Sequence, residues 1–377
     1  DWNLEFKYLA DQGITGKSII IATGSSAVKL KEKGELLPGR GLEGNEYYIK
    51  PLSFRDFALQ SIKFIRGILP NNELRDSLER LEENLNRTSI DLSLDLQDIQ
   101  QEIANLLPFK NEVGYLLRKY LITGGLPRVI NHYFENWREE FKEYINPVIA
   151  EIYIRDILGD IAKIDRQEII ARKLLKAILN KYGSRFSFNA LARQTGRSHV
   201  TTIDYFDHFQ ESFICFILYA YDFNKNFSKL KGDKKIYFFD PFILHAAKSY
   251  LQGEEVQTAI TRTLQDEEIQ SQVLEGIVVS HLLLHREIPY VRSGQTFLWN
   301  YYNKSGKEVD AIIKLNGGYL GVEVKYQSHV DRRDIQRIKE VKDYIILSKE
   351  DTDNTDNLII SPLDIFLALI TQSEKNL

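Results

Sequence analysis

The sequence has 377 residues, with 49 Lys/Arg against 53 Asp/Glu, one cysteine and no methionine. At roughly 100–200 residues per domain it holds two to four domains, and 43% hydrophobic with 27% charged residues excludes a disordered or fibrous chain. The single Cys215 excludes a disulfide framework and a cysteine zinc site, and the longest apolar run, Phe213–Tyr221, falls short of the roughly 20 residues that span a bilayer. We therefore expect a soluble, cytoplasmic protein with no membrane partner. A start at Asp1-Trp2, with no methionine anywhere, leads us to expect a missing N-terminus.

In chain order, Ser18–Ala22 is a short continuous apolar run, as a parallel strand buried on both faces would read. Thr23-Gly-Ser-Ser26 ends it, and Leu37-Pro-Gly-Arg-Gly41 makes a turn. Leu74, Leu78, Leu81 and Leu85 recur at helical spacing, and a second helix is expected over Gln97–Leu107, up to Pro108. Helices with Tyr, Leu and Ile stripes follow from Val113 to Ile164, interrupted at Gly124–Pro127 and at Asn146-Pro147. From 166 to 235 the chain turns basic: thirteen Lys/Arg against six Asp/Glu leave +7, whereas the whole chain carries −4. There the pattern predicts helices over Glu168–Tyr182 and Phe188–Gln194, a turn at Thr195-Gly-Arg197, and a third helix over Ser198–Gln210 with Ser198 as its N-cap. A strand over Phe213–Tyr221, a Lys-rich loop Asn224–Lys235 and a strand over Ile236–Phe239 complete the order of a winged helix-turn-helix. In that plan the third helix enters the major groove and the wing touches phosphates. The candidate DNA contacts are Arg193, Arg197, Ser198, Thr201, Thr202, Lys229, Lys231, Lys234 and Lys235. Docking of another domain is the alternative use of the same module.

Residues 241–264 read as a linker. Beyond them we expect a helix from Leu274-Glu-Gly276 to Arg286, and strands around Tyr290–Val291, Thr296–Tyr302, Glu308–Leu315 and Tyr319–Tyr326. A charged helix over Arg332–Val341, strands at Tyr344–Leu347 and Leu358–Ile360, and a helix after Pro362 complete the chain, with Glu350–Asp356 as a solvated loop. Glu308-Val-Asp310 and Glu323-Val-Lys325 flank an Asn-Gly pair, the strongest short hairpin signal. A turn at Asn316–Gly317 sets Asp310 opposite Glu323 and Glu308 opposite Lys325; a turn at Gly317–Gly318 sets Asp310 opposite Lys325. Either register puts all four charges on one face, with Val309, Ala311, Val322 and Val324 on the other. Asp310 and Glu323 are hard oxygen ligands suited to Mg²⁺ or Mn²⁺, with Lys325 placed to orient a water or stabilise charge at phosphorus. A cross-strand ion-pair ladder is the other reading, and the spacing leaves both open. His281 and His285 stand four apart with no third ligand in prospect, so the seven histidines read as structural or surface residues.

These residues carry a resemblance. Asp310, Glu323-Val-Lys325 and the helix-borne Glu275 resemble the PD-(D/E)XK restriction-endonuclease-like core over residues 273–369. That resemblance implies a catalytic set of Glu275, Asp310, Glu323 and Lys325 acting on Mg²⁺; a first-turn acid favourable to the helix dipole is the plainer alternative for Glu275. The whole chain resembles the archaeal and bacterial AAA+ ATPases that fuse a P-loop domain, a helical lid, a winged helix and this nuclease-like domain. The matching stretches are Ile19–Ser26 (a sensor-1 strand), Leu37–Gly41 (a candidate arginine finger), Lys50–Phe57, and Tyr120–Pro127 in the lid.

The fold class so implied is α/β and multidomain: part of a P-loop AAA+ α/β unit (1–60), a helical lid region (61–165), a winged helix-turn-helix (166–240), the linker (241–264) and a restriction-endonuclease-like α/β domain (265–377). The resemblance further implies ATP as the ligand of the intact family, Thr23 and Ser25 near the nucleotide, and Arg40 reaching a neighbouring subunit of a homo-oligomer. A capping turn for Thr23 and Ser25, and a solvated loop arginine for Arg40, are the alternatives. No G-x-x-x-x-G-K-[ST] loop occurs; Asp11–Ser18 lacks the first glycine and leads into a strand, and the family's Walker A and Walker B elements precede the segment matched here. The expected function is a DNA-associated AAA+ class ATP-binding protein with a nuclease-like C-terminal domain. The alternatives are a Mg-dependent DNA endonuclease using Asp310, Glu323 and Lys325, and a non-catalytic DNA- or protein-binding adaptor.

Overall fold

The computed structural model describes residues 2–14, 21, 49–69, 73–92, 95–140, 143–162, 167–285, 296–315 and 317–371. The strands expected at Ser18–Ala22 and Tyr290–Val291 lie outside the described residues, as do Thr23, Ser25 and Arg40. Helices come first: α1 (Trp2–Asp11), α2 (Phe54–Ile68), α3 (Glu73–Leu85), α4 (Leu96–Leu106), α5 (Lys110–Thr123), α6 (Pro127–Glu140) and α7 (Pro147–Ala162). Prolines open α6 and α7 at the breaks seen in the sequence, where a missing N–H costs nothing. In α3 the Leu stripe buries Leu78, Leu81 and Leu85, as its spacing requires.

Next come α8 (Glu168–Lys181), α9 (Phe188–Thr195), α10 (His199–Glu211) and the strands β1 (Cys215–Tyr219), β2 (Tyr221–Asp222), β3 (Phe227–Ser228) and β4 (Lys234–Phe238). Gly196 closes α9 in the left-handed conformation and Ser198 caps α10, its Oγ accepting from Thr201 N, so two local signals fix the helix–turn–helix. Strands β1 and β4 pair antiparallel. The segment expected as a linker holds two helices instead, α11 (Pro241–Gln252) and α12 (Val256–Gln265). An Asp-Pro start and the apolar residues Phe242, Ile243, Leu244, Ala246 and Ala247 make α11 a core helix packed on α7.

Helix α13 (Glu267–His285) begins seven residues before the expected start, and this places Glu275 mid-helix, away from the dipole of the first turn. It is followed by β5 (Leu298–Tyr302), β6 (Glu308–Leu315), β7 (Gly318–Val324), β8 (Asp343–Ser348), β9 (Asp353–Thr355), β10 (Leu358–Pro362) and α14 (Leu363–Leu369). The sheet order is β5-β6-β7-β8-β10-β9, antiparallel through β7, then parallel at β7–β8 and β8–β10. The fold is thus mixed α/β, with a mixed sheet covered on both faces. The expected helix over Arg332–Val341 forms only a 3-10 turn at Arg332–Asp334. Tertiary partners take over its polar groups: Ile338 N donates to Tyr344 Oη, Lys307 Nζ to Arg337 O, and Gln336 accepts from Glu308 N. Its apolar side chains Val330, Ile338 and Val341 still roof the sheet, beside Val309, Ile312, Tyr344 and Ile346. The Glu350–Asp356 loop contributes β9, a short charged edge strand on β10.

The two stretches 50–57 and 120–127 meet. Leu52 N donates to Gly125 O at 2.8 Å, and Tyr120 Oη donates to Leu52 O at 3.1 Å. A Cβ on Gly125 would stand 2.1 Å from the Leu52 carbonyl oxygen, so glycine is required by close backbone approach. Asp240, 1% exposed, accepts from Gly125 N (2.7 Å) and caps α11 through Phe242 N (2.8 Å). Burial pushes its carboxyl up to about 7, against the pull of those amides. His281 accepts from Phe54 N at 2.8 Å and donates from Nδ1 to Ile277 O, a structural role that fixes the neutral ring. No helix among the described residues is long and apolar enough to cross a membrane.

Gly125→Ala is expected to destabilise the fold by about 2 kcal/mol or more, read as a lower midpoint in urea denaturation. A midpoint equal to the wild type would refute the close-approach account. Asp240 has a folded pKa above its unfolded one, so the stability it contributes is full below about pH 4 and is lost as the pH rises towards 7. Asp240→Asn is therefore expected to make the fall in melting temperature between pH 4 and 7 shallower; an unchanged slope counts against it.

Candidate functional site

Three of the carboxylates singled out in the sequence, Glu275, Glu308 and Asp310, converge on one side chain expected among the DNA contacts. Lys235, on β4, sends its Nζ to Glu275 Oε1 (2.9 Å), Glu308 Oε1 (2.8 Å) and Asp310 Oδ1 (3.0 Å). Tyr237, two residues along the same strand, donates to the same Glu275 oxygen at 2.5 Å. The ammonium is only 6% exposed and is surrounded by oxygens from a helix and a strand of the C-terminal module. Burial works against its charge, but Tyr237, Asp310, Glu275 and Glu308 outweigh burial and hold Lys235 well above the ordinary lysine value. Burial, then the nearby Asp310 charge, push Glu275 up to about 7 against the pull of Lys235.

Backbone irregularity aims this cluster. Leu315 pairs with Gly318 and Ala311 with Val322, the register expected for a turn at Asn316–Gly317. On the other side of β6, Trp299 pairs with Ile312 but Tyr301 pairs with Val309, so Asp310 and Ala311 together oppose Asn300. This bulge turns Asp310 so that its Oδ2 accepts from Val324 N (3.0 Å) while Oδ1 takes Lys235. It also splits the expected two-face pattern. Val309 joins the smaller apolar cluster, whereas Ala311 and Val322 belong to the main core. Glu323 pairs with Ile346 of β8, a residue of the smaller cluster. Burial first, then the Asp310 and Glu308 charges, push Glu323 up to about 8 against the pull of Lys325, whose Nζ lies 3.7 Å from Oε2. Among the described residues Oε1 finds no hydrogen-bond partner. Of the four expected catalytic residues, Glu275 and Asp310 share Lys235, while Lys325 lies beside Glu323, which also feels the Asp310 and Glu308 charges.

The Mg²⁺ that the resemblance implies would take Asp310 and Glu323 as ligands, but both Asp310 oxygens are engaged, Oδ1 by Lys235 and Oδ2 by Val324 N. The oxygens of Glu275, Glu308 and Asp310 already enclose an ammonium, and no group of three or more His, Cys, Asp or Glu among the described residues is arranged to hold a metal ion. The residues in this arrangement do not fit the ion. The charges of the hairpin form ion pairs, but the cation at their centre is Lys235 of β4 rather than the Lys325 of the expected cross-strand ladder.

The proposed DNA contacts divide as well. Arg193, Arg197 and Ser198 are exposed along the α9–α10 turn and Thr201 is half-buried beside them. Thr202 is buried and donates its Oγ1 to Ser198 O, as expected for a residue on the inner face of α10, so it faces no groove. Lys234 is 2% exposed, with its Nζ donated to Leu230 O and Gly232 O, because β4 carries it and Lys235 inward. Lys231 stays exposed, while Lys229 lies over the rings of Tyr301 and Tyr302. The expected wing is thus packed on the sheet: Asp233 N donates to Tyr302 Oη, Trp299 Nε1 to Ser228 Oγ, and Asn300 Nδ2 to Leu218 O. Sequence reasoning missed Tyr237, Glu308 as a Lys235 partner, and Lys235 itself. The signal available was the run Lys234–Phe239, whose apolar continuation extends the strand back over both lysines.

Removing one member of a buried, multiply bonded charge cluster leaves the others unpaired. Lys235→Ala is expected to cost about 3–5 kcal/mol, whereas Lys325→Ala, on a more exposed and longer pair, should stay within about 1 kcal/mol. Guanidinium denaturation of both variants checks the order, and equal losses would refute the central place given to Lys235.

Two family profiles match the chain: a domain of unknown function (DUF8612) over residues 114–254, and a domain of unknown function (DUF4143) over residues 270–365. Lys235 lies within the first region and its carboxylate partners within the second, so the cluster bridges the two. The chain is similar to an uncharacterized protein of Methanocaldococcus jannaschii, at 24% identity over 375 residues, covering 98% of this chain and 68% of the relative. No solved structure matches it significantly.

Proposed function

We propose that the chain is a DNA-associated protein of the AAA+ ATPase class, in which a helix-turn-helix module meets DNA and a nuclease-like module serves as its rigid base. The observation that carries this reading is the exposed Arg193–Arg197 turn, standing on a module that is basic overall while its own hairpin is taken up by the C-terminal sheet. Positive charge at the start of α10, together with the free amides of that helix N-terminus, suits phosphate contact. The AAA+ assignment is supported by the stretches 19–26, 37–41, 50–57 and 120–127, of which the last two touch each other. On this reading ATP, with its own Mg²⁺, belongs to the P-loop part of the family, with Thr23, Ser25 and Arg40 serving that nucleotide and a neighbouring subunit of a homo-oligomer. The restriction-endonuclease-like reading of the C-terminal module is supported by its element order, α13–β5–β6–β7–β8–β10, antiparallel before β7 and parallel after it. Hydrolysis there is disfavoured, since Lys235 stands among the carboxylates.

Fluorescence anisotropy with a labelled duplex, repeated over a salt series, tests the DNA reading. Arg193→Ala/Arg197→Ala is expected to weaken binding about tenfold or more and to lower the salt slope by about two phosphate contacts. Binding unaffected by the double substitution would sink this assignment. In the same samples Mg²⁺ or Mn²⁺ should leave the DNA intact; cleavage abolished by Asp310→Ala would favour the endonuclease instead.

A further inference from the structure

In the C-terminal module, three carboxylates drawn from a helix and a bulged strand surround one point. Such a cluster must hold a cation to avoid mutual repulsion in a partly buried site. Here the cation is covalent. Lys235 reaches in from β4 of the neighbouring module, and its Nζ lies 2.8–3.0 Å from one oxygen each of Glu308, Glu275 and Asp310. The approach is held from both sides: Tyr237 fixes the shared Glu275 oxygen, Val324 N fixes the second Asp310 oxygen, and the hairpin is tied to β5 through Asn300 and Tyr302.

We propose that Lys235 is a tethered counter-ion that takes the place of a divalent metal in this cluster and thereby pins the helix-turn-helix module to the sheet. The proposal rests on the nuclease-like reading only for the identity of the ion displaced; the ion-pair geometry stands without it. An ammonium and a hydrated divalent ion satisfy the same oxygens, but the ammonium carries one charge, keeps hydrogen-bond distances and brings its own strand with it. So long as the two modules stay docked, a metal has to compete with a ligand whose effective concentration is that of an intramolecular group.

The test is Mn²⁺ uptake by the full chain in the absence of DNA, followed by electron paramagnetic resonance, with thermal melting in EDTA and in Mn²⁺ alongside. The wild type is expected to show no Mn²⁺ binding tighter than millimolar and no shift in melting. Lys235→Met, which keeps the buried stem, is expected to melt below the wild type in EDTA, to recover in Mn²⁺, and to bind the ion at least about tenfold more tightly. Lys235→Arg keeps the charge and is expected to behave as the wild type in both measurements. Tight Mn²⁺ binding by the wild type or by Lys235→Arg overturns the proposal, whether or not Lys235→Met folds. So does a folded Lys235→Met that gains no affinity. Since no DNA is present, failure of the DNA-binding assignment leaves these outcomes unchanged, and failure here leaves that assignment standing.

Discussion

An ammonium without water around it has to find oxygens, and Lys235 finds three carboxylates that belong to a different module. Much of the C-terminal architecture serves that meeting. The bulge at Asp310–Ala311 bends β6 towards it, Tyr237 completes the Glu275 oxygen, and the edge strand β5 accepts the incoming hairpin along its length. Buried ion clusters seldom add net stability over a well-packed apolar core, but they discriminate strongly against misplacement, because a shift of one residue strands charges on both sides. What this cluster supplies is register between modules.

A second junction, around Leu52, Gly125 and Asp240, is made largely through backbone groups. Leu52 and Gly125 approach so closely that no side chain fits between them, and Asp240 ties the Gly125 amide to the start of α11. His281, from α13, accepts the Phe54 amide and so joins the same N-terminal segment to the C-terminal module. Two stretches that look like family signatures in the sequence are thus the places where three parts of the chain share hydrogen bonds. A change of conformation at residues 50–57 would be felt directly at α11 and α13.

The sequence made local features readable wherever a short-range signal sufficed. Ser198 and Gly196 mark the helix–turn–helix, the Asn-Gly pair marks the hairpin while leaving two registers open, and the prolines mark helix starts. Failures came where a distant partner decided the outcome. Arg332–Val341 has helical composition, yet Tyr344 and Lys307 take up backbone groups of it from outside, and Gln336 is spent on the Glu308 amide. Residues 241–264 hold helices rather than the expected linker, and there Asp240-Pro241 and the apolar run behind them signal a buried helix. Lys234 and Lys235 are expected as DNA contacts in a wing because lysine is seldom buried, but Lys234 turns its ammonium to the Leu230 and Gly232 carbonyls and Lys235 meets Glu275, Glu308 and Asp310. Glu275 and Asp310 meet at Lys235, a cation that no short-range signal marks, and Glu323 lies within reach of the Asp310 and Glu308 charges with Lys325 beside it.

Helix α14 is buried along its whole length, although it lies within the last residues described. Ile90 N donates to Leu369 O, Arg55 to Ala368 O, and Lys110 pairs with Asp364, so its neighbours are the helices of the chain's beginning. Those helices carry apolar faces that this segment completes, across a separation of some hundreds of residues, which is a large loop to close before any contact rewards it. During synthesis the helices α2, α4 and α5 emerge with that face uncovered until α14 follows them. The order of contacts then differs from that of a string of independent domains, because an early stretch draws part of its core from a late one.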